Sequence, residues 1–160
     1  MRLHSSFLFA ALALTLGVSP CVQARVTSGV LQQLDILVSQ TQGMRIGLIT
    51  NPSGCDELGA LVADYLIRAP GTTITAFFAP EHGLRGDNTS GDYIDPVTSI
   101  PVYAVYGVRN APTDAMMATV DLLMFDLQDV GVRFYTFQWT MTHCMEAAAR
   151  NGKPFYVIDR

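Results

Sequence analysis

The sequence predicts an α/β fold, a mostly parallel sheet with helices on both faces. Three observations predict it. From Met44 onward, short apolar runs rich in β-branched and aromatic residues alternate with segments of helical period. Glycine, proline and asparagine bound those runs, where they stop ladders and turn the chain. The residues after each run are polar, as expected where parallel strands present their carboxyl ends at one edge joined by right-handed crossovers.

The elements follow in order. Arg25 to Gln42 carries Val26, Val30, Leu31, Leu34 and Ile36-Leu37-Val38 at roughly helical spacing and predicts a covering helix. Met44 to Thr50 is the first strand, ended by Asn51-Pro52-Ser53-Gly54. A helix is expected over Leu58 to Ala69, with Leu58, Leu61, Val62, Tyr65 and Leu66 inward and Asp56-Glu57 where acids favour a helix start. Thr73 to Phe78 is a strand between Pro70-Gly71 and Pro80. Gly86 to Ile100 is polar and turn-rich, a loop long enough to be functional or mobile. Pro101 to Gly107 predicts a strand, Pro112 to Val120 a brief helix, and Asp121 to Asp126 another strand. Tyr135 to Asn151 is the clearest helix, with Phe137, Met141, Met145 and Ala148 on one face, Cys144 extending it, and Asn151-Gly152 as the stop. Pro154 to Arg160 is the last apolar strand.

The length of 160 residues fits one domain with a real core. Residues 1–24 read as a signal peptide: Met1-Arg2 is a positive start, Phe7 to Val18 an apolar run, and Val22-Gln23-Ala24 a peptidase site. Residues 25–160 are then the mature, exported domain, periplasmic or extracellular. The apolar run is too short to span a bilayer. Cys21 raises a lipoprotein alternative, which Pro20 directly before it weakens. The formal charge of -4, with no basic run, excludes nucleic-acid binding by electrostatics. Of the cysteines, Cys55 falls in a loop and Cys144 in a helical pattern, expected as a buried free thiol. With no CxxC or HExxH pattern, no metal or other cofactor is expected.

Chemistry is expected at Pro80-Glu81-His82-Gly83-Leu84-Arg85-Gly86, where an apolar strand gives way to an acid, an imidazole and a guanidinium. In open α/β sheets, ligands bind beyond the carboxyl ends of the strands. Asn51, the cluster of Asp126, Gln128, Asp129 and Arg133, and Asp159-Arg160 occupy the same position after their own strands. Glu81, Asp126 and Asp159 are therefore expected at one sheet edge. A bland alternative stands beside this, in which the acids are turn formers and Glu81 and Arg85 a solvated ion pair. No GxSxG, GxGxxG or GxxxxGK[ST] pattern appears, so serine hydrolase, dinucleotide and nucleotide readings lose their usual support.

Taken together, Leu48-Ile49-Thr50-Asn51-Pro52, Pro80-Glu81-His82-Gly83-Leu84-Arg85-Gly86, Pro101-Val102-Tyr103, Phe125-Asp126-Leu127-Gln128-Asp129-Val130-Gly131-Val132-Arg133-Phe134-Tyr135-Thr136 and Val157-Ile158-Asp159-Arg160 resemble the NamZ-like exo-β-N-acetylmuramidases of the DUF1343 family. The resemblance runs from about Met44 to the last residue. It implies a Rossmann-like amino-terminal domain, a second carboxy-terminal domain absent from this sequence, and an active site in the cleft between the two. It also implies release of N-acetylmuramic acid from the non-reducing end of peptidoglycan-derived saccharides. On that reading the chain is a truncated member, expected to leave an apolar face bare and to self-associate.

Glycoside hydrolysis usually uses two carboxyl groups. Glu81 is the candidate proton donor, and Asp126 and Asp129 are alternatives for the second carboxylate. His82 is a candidate to orient Glu81 or bind sugar, or a structural histidine. Arg85, Arg133 or the amino end of the helix at Tyr135 would meet the lactyl carboxylate, with Asn51, Gln128, Tyr135, Asp159 and Arg160 completing the substrate-binding set. Two other classes stay open. A noncatalytic sugar-binding module would use the same crevice. A metal-dependent hydrolase would draw on His82, Asp126, Asp129 and Asp159, although catalytic zinc usually has more than one histidine, or a cysteine, among its ligands.

Overall fold

The computed structural model describes residues 29–86 and 91–159. The expected signal peptide, the start of the covering helix, part of the loop after Gly86, and Arg160 lie outside the described residues. Among the described residues, the strands β1 (Arg45–Thr50), β2 (Thr73–Ala79), β3 (Tyr93–Ile94), β4 (Pro101–Ala104), β5 (Leu122–Asp126) and β6 (Phe155–Val157) form one sheet. Its order is β3-β4-β2-β1-β5-β6. Every neighbouring pair is parallel except β3 with β4. The chain thus steps outward from β1 to β2 and β4, then returns to build β5 and β6 on the other side of β1.

Helices cover both faces, which is why the central strands are apolar on successive residues. The helices α1 (Gly29–Gln32), α2 (Leu34–Thr41) and α3 (Val62–Arg68) place Val30, Leu37, Val62 and Leu66 against Ile46, Leu48, Phe77 and Met124. On the other face, α4 (Asp114–Met117) and α5 (Phe137–Arg150) place Met117, Phe137, Cys144 and Ala148 against Ile49, Phe78, Leu123 and Phe125. No helix among the described residues is long and apolar enough to cross a membrane.

A register shift between Ile46 and Gly47 pairs them with Ile74 and Ala76, so that Thr75 is an extra residue in β2. Side chains alternate along a strand, so one inserted residue changes which face the rest of the strand serves. Ile74 and Phe77 accordingly share a core although three positions separate them. Gly47 lies where the sheet has no room: an added Cβ would sit 2.7 Å from the Phe78 ring and 2.8 Å from Leu123 Cδ2.

Several local expectations change. The covering helix is broken at Gln33 into α1 and α2. Instead of capping a helix, Asp56 folds the chain ahead of α3 into a tight loop, its Oδ1 accepting from Leu58 N and Ala60 N at 2.8 Å each. The helix therefore starts later, and Leu58, expected inward, is exposed. In α5, Cys144 and Ala148 share the buried face with Phe137, whereas Met145 is turned toward solvent. At 3.6 residues per turn, steps of seven and eleven return to the Phe137 face and a step of eight overshoots it. Neither Cys55 nor Cys144 is in a disulfide, and burial pushes the Cys144 thiol up to about 12.

Part of the long loop is ordered by charge. Arg85 donates through Nε and Nη2 to the two carboxylate oxygens of Asp95, at 2.9 and 3.0 Å, and through Nη2 to Asp64 at 3.2 Å. The Asp95 side chain is fully buried, and Thr98 donates to it from its hydroxyl and its backbone. This cluster seats the loop that carries β3 along the edge of β4.

Two outcomes follow from these contacts. Gly47→Ala is expected to cost about 1–3 kcal/mol through overpacking, read as a lower urea midpoint with an unchanged slope. Arg85 and its hydrogen bonds hold the Asp95 carboxyl down from 3.8 to about 2. A depressed carboxylate stabilises the fold above its unfolded value and loses that contribution as pH falls through the folded one. About 2 kcal/mol is therefore expected to disappear between pH ~4 and ~2. An Asp95→Asn variant, less stable at neutral pH, should show a flatter stability profile across that window; an unchanged profile would remove Asp95 as its source.

Candidate functional site

The site is assembled by the loop after β1, which ties the loops after its two neighbours. Asn51 is buried at 1% exposure. Its Nδ2 donates to the backbone oxygen of Glu81, after β2, at 3.1 Å, while its Oδ1 accepts from Ser53 N at 2.8 Å. On the other side, the Ser53 hydroxyl accepts from Gln128 N, after β5, at 3.0 Å. The loop after β1 thus holds both of its neighbours.

Beyond β2 the chain turns at Pro80, closed by a hydrogen bond from Gly83 N to Pro80 O of 3.1 Å. His82 is left-handed at φ 76° and Gly83 follows at 73°. A side chain in that region strains the backbone by about 1–3 kcal/mol. Within this turn Glu81 is half-buried, and its Oε2 accepts from the Thr136 hydroxyl at 3.1 Å. Thr136 immediately precedes α5 and makes no side-chain cap to that helix. Its hydroxyl fastens Glu81 instead.

Two cavities adjoin here. One, of about 230 Å³, is lined by Glu81, His82, Phe134, Tyr135, Thr136 and Phe137. The other, of about 290 Å³, is lined chiefly by Asn51, Ser53, His82, Gln128, Val130 and Tyr135. Both include His82, Tyr135 and Phe137, so they form one groove along the carboxyl ends of β2, β1 and β5. The strand order reverses at β1, which is where open α/β sheets bind ligands. Tyr135 stacks edge-on to Phe137 with ring centroids 5.2 Å apart, and Phe134 stands 82% exposed beside it.

Comparison with known proteins identifies the family. The family model described as exo-β-N-acetylmuramidase NamZ, N-terminal, matches residues 46–160. The chain belongs to the NamZ family. It is 49% identical over 140 residues to the peptidoglycan β-N-acetylmuramidase NamZ of Bacillus subtilis (strain 168), across 85% of this chain and 34% of that protein. Among solved structures it resembles two DUF1343 family proteins of Bacteroides fragilis NCTC 9343. One matches at a TM-score of 0.76 and 40% identity over 84% of this chain and 34% of that one. The other matches at 0.69 and 30%, over 86% and 35%. The chain spans about a third of the length of these relatives.

Within this NamZ-family domain, the groove brings together Asn51, Glu81, His82, Gln128 and Tyr135 from the sequence-predicted set. Glu81, Asp126 and Asp159 do follow the carboxyl ends of three parallel strands. Their side chains do not converge. Asp126 is fully buried, with Oδ2 only 2.8 Å from where a Gly54 Cβ would stand, so it is sealed beneath the loop after β1. Asp129 folds onto its own loop, its Oδ1 accepting from Gly131 N at 2.7 Å. Arg85 is held by Asp95 and Asp64, and Arg133 is exposed without lining the groove. Asp159 lines a different cavity, of about 380 Å³, between β6 and the first two helices. Arg160 lies outside the described residues. Among the described residues, no three His, Cys, Asp or Glu side chains gather as a metal would require.

Sequence reasoning missed Thr136, Phe134 and Ser53. A threonine just before a strongly periodic helix is a recognisable N-cap signal, but nothing local shows that its hydroxyl serves Glu81. Exposed apolar side chains flank the groove, Val130 at 57% and Phe134 at 82%.

Asn51→Ala would leave buried groups on two loops without their partner. It is expected to lower stability by about 1–3 kcal/mol and to release the Glu81 turn. The check is urea unfolding together with amide exchange at Ser53 and Gly83, whose protection should fall.

Proposed function

We propose that this chain is the catalytic-acid-bearing domain of an exo-acting β-N-acetylmuramidase, a glycosidase that removes N-acetylmuramic acid from the non-reducing end of peptidoglycan fragments. The observation that carries the reading is Glu81. It is a half-buried carboxyl on a family-matched segment, oriented by Thr136 and tethered through its backbone by Asn51, at the wall of a groove of aromatic and polar side chains. The NamZ relative named for this activity supports it.

In this mechanism Glu81 gives its proton to the glycosidic oxygen as the bond to the anomeric carbon breaks, and water finally supplies hydroxyl to that carbon, its proton returning to the Glu81 carboxylate. Asp126 is sealed and Asp129 is engaged with its own loop. The attacking group in this reading is therefore the 2-acetamido oxygen of the sugar itself, the substrate-assisted variant of glycoside hydrolysis. His82, beside Glu81 in both halves of the groove, is placed to bind the ring or its incoming water. The amino end of α5, adjoining Tyr135 and Thr136, favours the lactyl carboxylate. The positive start, apolar run and small residues before Arg25 support an exported location, where such fragments occur.

The test is Glu81→Gln, in this chain alone and joined to the carboxy-terminal remainder of a NamZ relative. Turnover of the disaccharide of N-acetylmuramic acid and N-acetylglucosamine should fall by about 10²- to 10⁴-fold with binding retained. A substrate with an acidic phenol as leaving group should recover part of that loss. An unchanged disaccharide rate would make Glu81 structural, equal slowing of both substrates would assign it another role than the acid, and binding without turnover by the unaltered joined protein would favour a noncatalytic sugar-binding module.

A further inference from the structure

Thr136 faces two ways. Besides bounding the groove at Glu81, it lines a further cavity of about 250 Å³ with Tyr106, Asn110, Trp139, Thr140 and His143. Trp139 is the one tryptophan of the sequence, and it stands 60% exposed in the first turn of α5. Residues three apart on a helix are surface neighbours, so the indole lies on the same side of α5 as the residue that fastens Glu81. Tyr106 and Asn110 come from the loop after β4 and close the opposite wall.

This lining has a definite chemistry. It offers aromatic surface and, around it, an amide, an imidazole and hydroxyls, a few placed polar groups on an apolar base as ligand sites usually have. The lining contains no lysine, arginine or carboxylate, so it offers no permanent charge to select a charged group. At about 250 Å³ it is smaller than the ~300–1,000 Å³ of sites for drug-sized ligands and suits one ring, not a chain. A neutral ring with an apolar CH face and a rim of hydroxyl and acetamido groups fits each of these features.

We propose that the cavity at Trp139 is a saccharide subsite that takes the neutral N-acetylhexosamine ring adjoining the sugar held at Glu81. The proposal rests on the glycosidase reading above, since the shared Thr136 is what makes the two sugars neighbours. Trp139 stacks on the ring, and Asn110, Tyr106 and His143 hydrogen-bond its rim. The subsite thereby holds the departing sugar while Glu81 protonates the oxygen between the two rings.

The sole tryptophan reports on this directly. Titrating the chain with free N-acetylglucosamine, and the Glu81→Gln chain with the disaccharide, should change the intrinsic fluorescence of Trp139 saturably. Asn110→Ala and Tyr106→Ala, which keep the indole, should weaken that response. By calorimetry, Trp139→Ala should bind the disaccharide on the order of tenfold more weakly, with Trp139→Phe restoring most of the loss. The indole is largely exposed, so these variants are expected to fold. Fluorescence unmoved by either sugar, or unchanged disaccharide affinity in Trp139→Ala, would overturn the subsite. Hydrolysis with a silent Trp139 sinks the subsite and leaves the glycosidase reading standing. A saturable Trp139 response in a protein that never hydrolyses the disaccharide does the reverse, and supports the subsite alone.

Discussion

The buried side-chain amide of Asn51 is the constraint on which the site depends. Parallel strands in a twisted sheet splay at their ends, and nothing in the ladder fixes how the following loops sit relative to one another. Asn51 solves this with one side chain, since its amide has both donors and an acceptor. It donates a hydrogen bond to the Glu81 carbonyl and accepts one from Ser53 N, while the Ser53 hydroxyl accepts another from Gln128 N. Three loops become one surface. Because the amide is almost fully withdrawn from water, each of these bonds is costly to leave unmade.

Charge is divided between scaffold and groove. The ion pairs, Arg85 with Asp95 and Asp64, Arg109 with Asp92 and Arg45 with Asp121, tie loops and strand ends. Arg85 shows the division most clearly: it lies four residues from Glu81, yet its guanidinium is spent on the loop that carries β3. Among the described residues lining the groove, the titratable side chains are Glu81, His82 and Tyr135. Among the described residues lining the groove, that carboxyl meets no lysine or arginine that would hold it as an inert ion pair.

The fold was legible because strand and helix periods are local properties. β1, β2, β5 and α5 follow from alternation, length and punctuation, and their parallel arrangement from strand and helix alternation. What failed depended on partners far along the chain or on loop geometry. The extra residue at Thr75 fits the tertiary packing of Ile74 and Phe77, and Asp56 looked like a helix-start acid until its two backbone partners were seen. The same boundary runs through the site. Position after a strand predicts the height of a residue in the sheet, and Asn51, Glu81, His82 and Gln128 were found that way. It does not predict direction, which is why Asp126 and Asp129, at the right height, are not on the groove. The Glu-His-Gly segment carried more information than its composition because it also carried the family.

His82 shows why that segment is more than a turn. Its backbone is left-handed, and a glycine there would relieve the strain. The next position is also left-handed, and there the chain does use glycine, Gly83. The turn therefore accepts strain at one position and avoids it at the adjacent one. Burial differs as well, since His82 is exposed while Gly83 is buried. The two residues also reach different groups. The imidazole stands in both halves of the groove beside Glu81, whereas Gly83 closes the turn by donating to Pro80. The turn thus places a left-handed, exposed imidazole on the groove beside a tethered carboxyl, where glycine would have met the backbone requirement without a side chain.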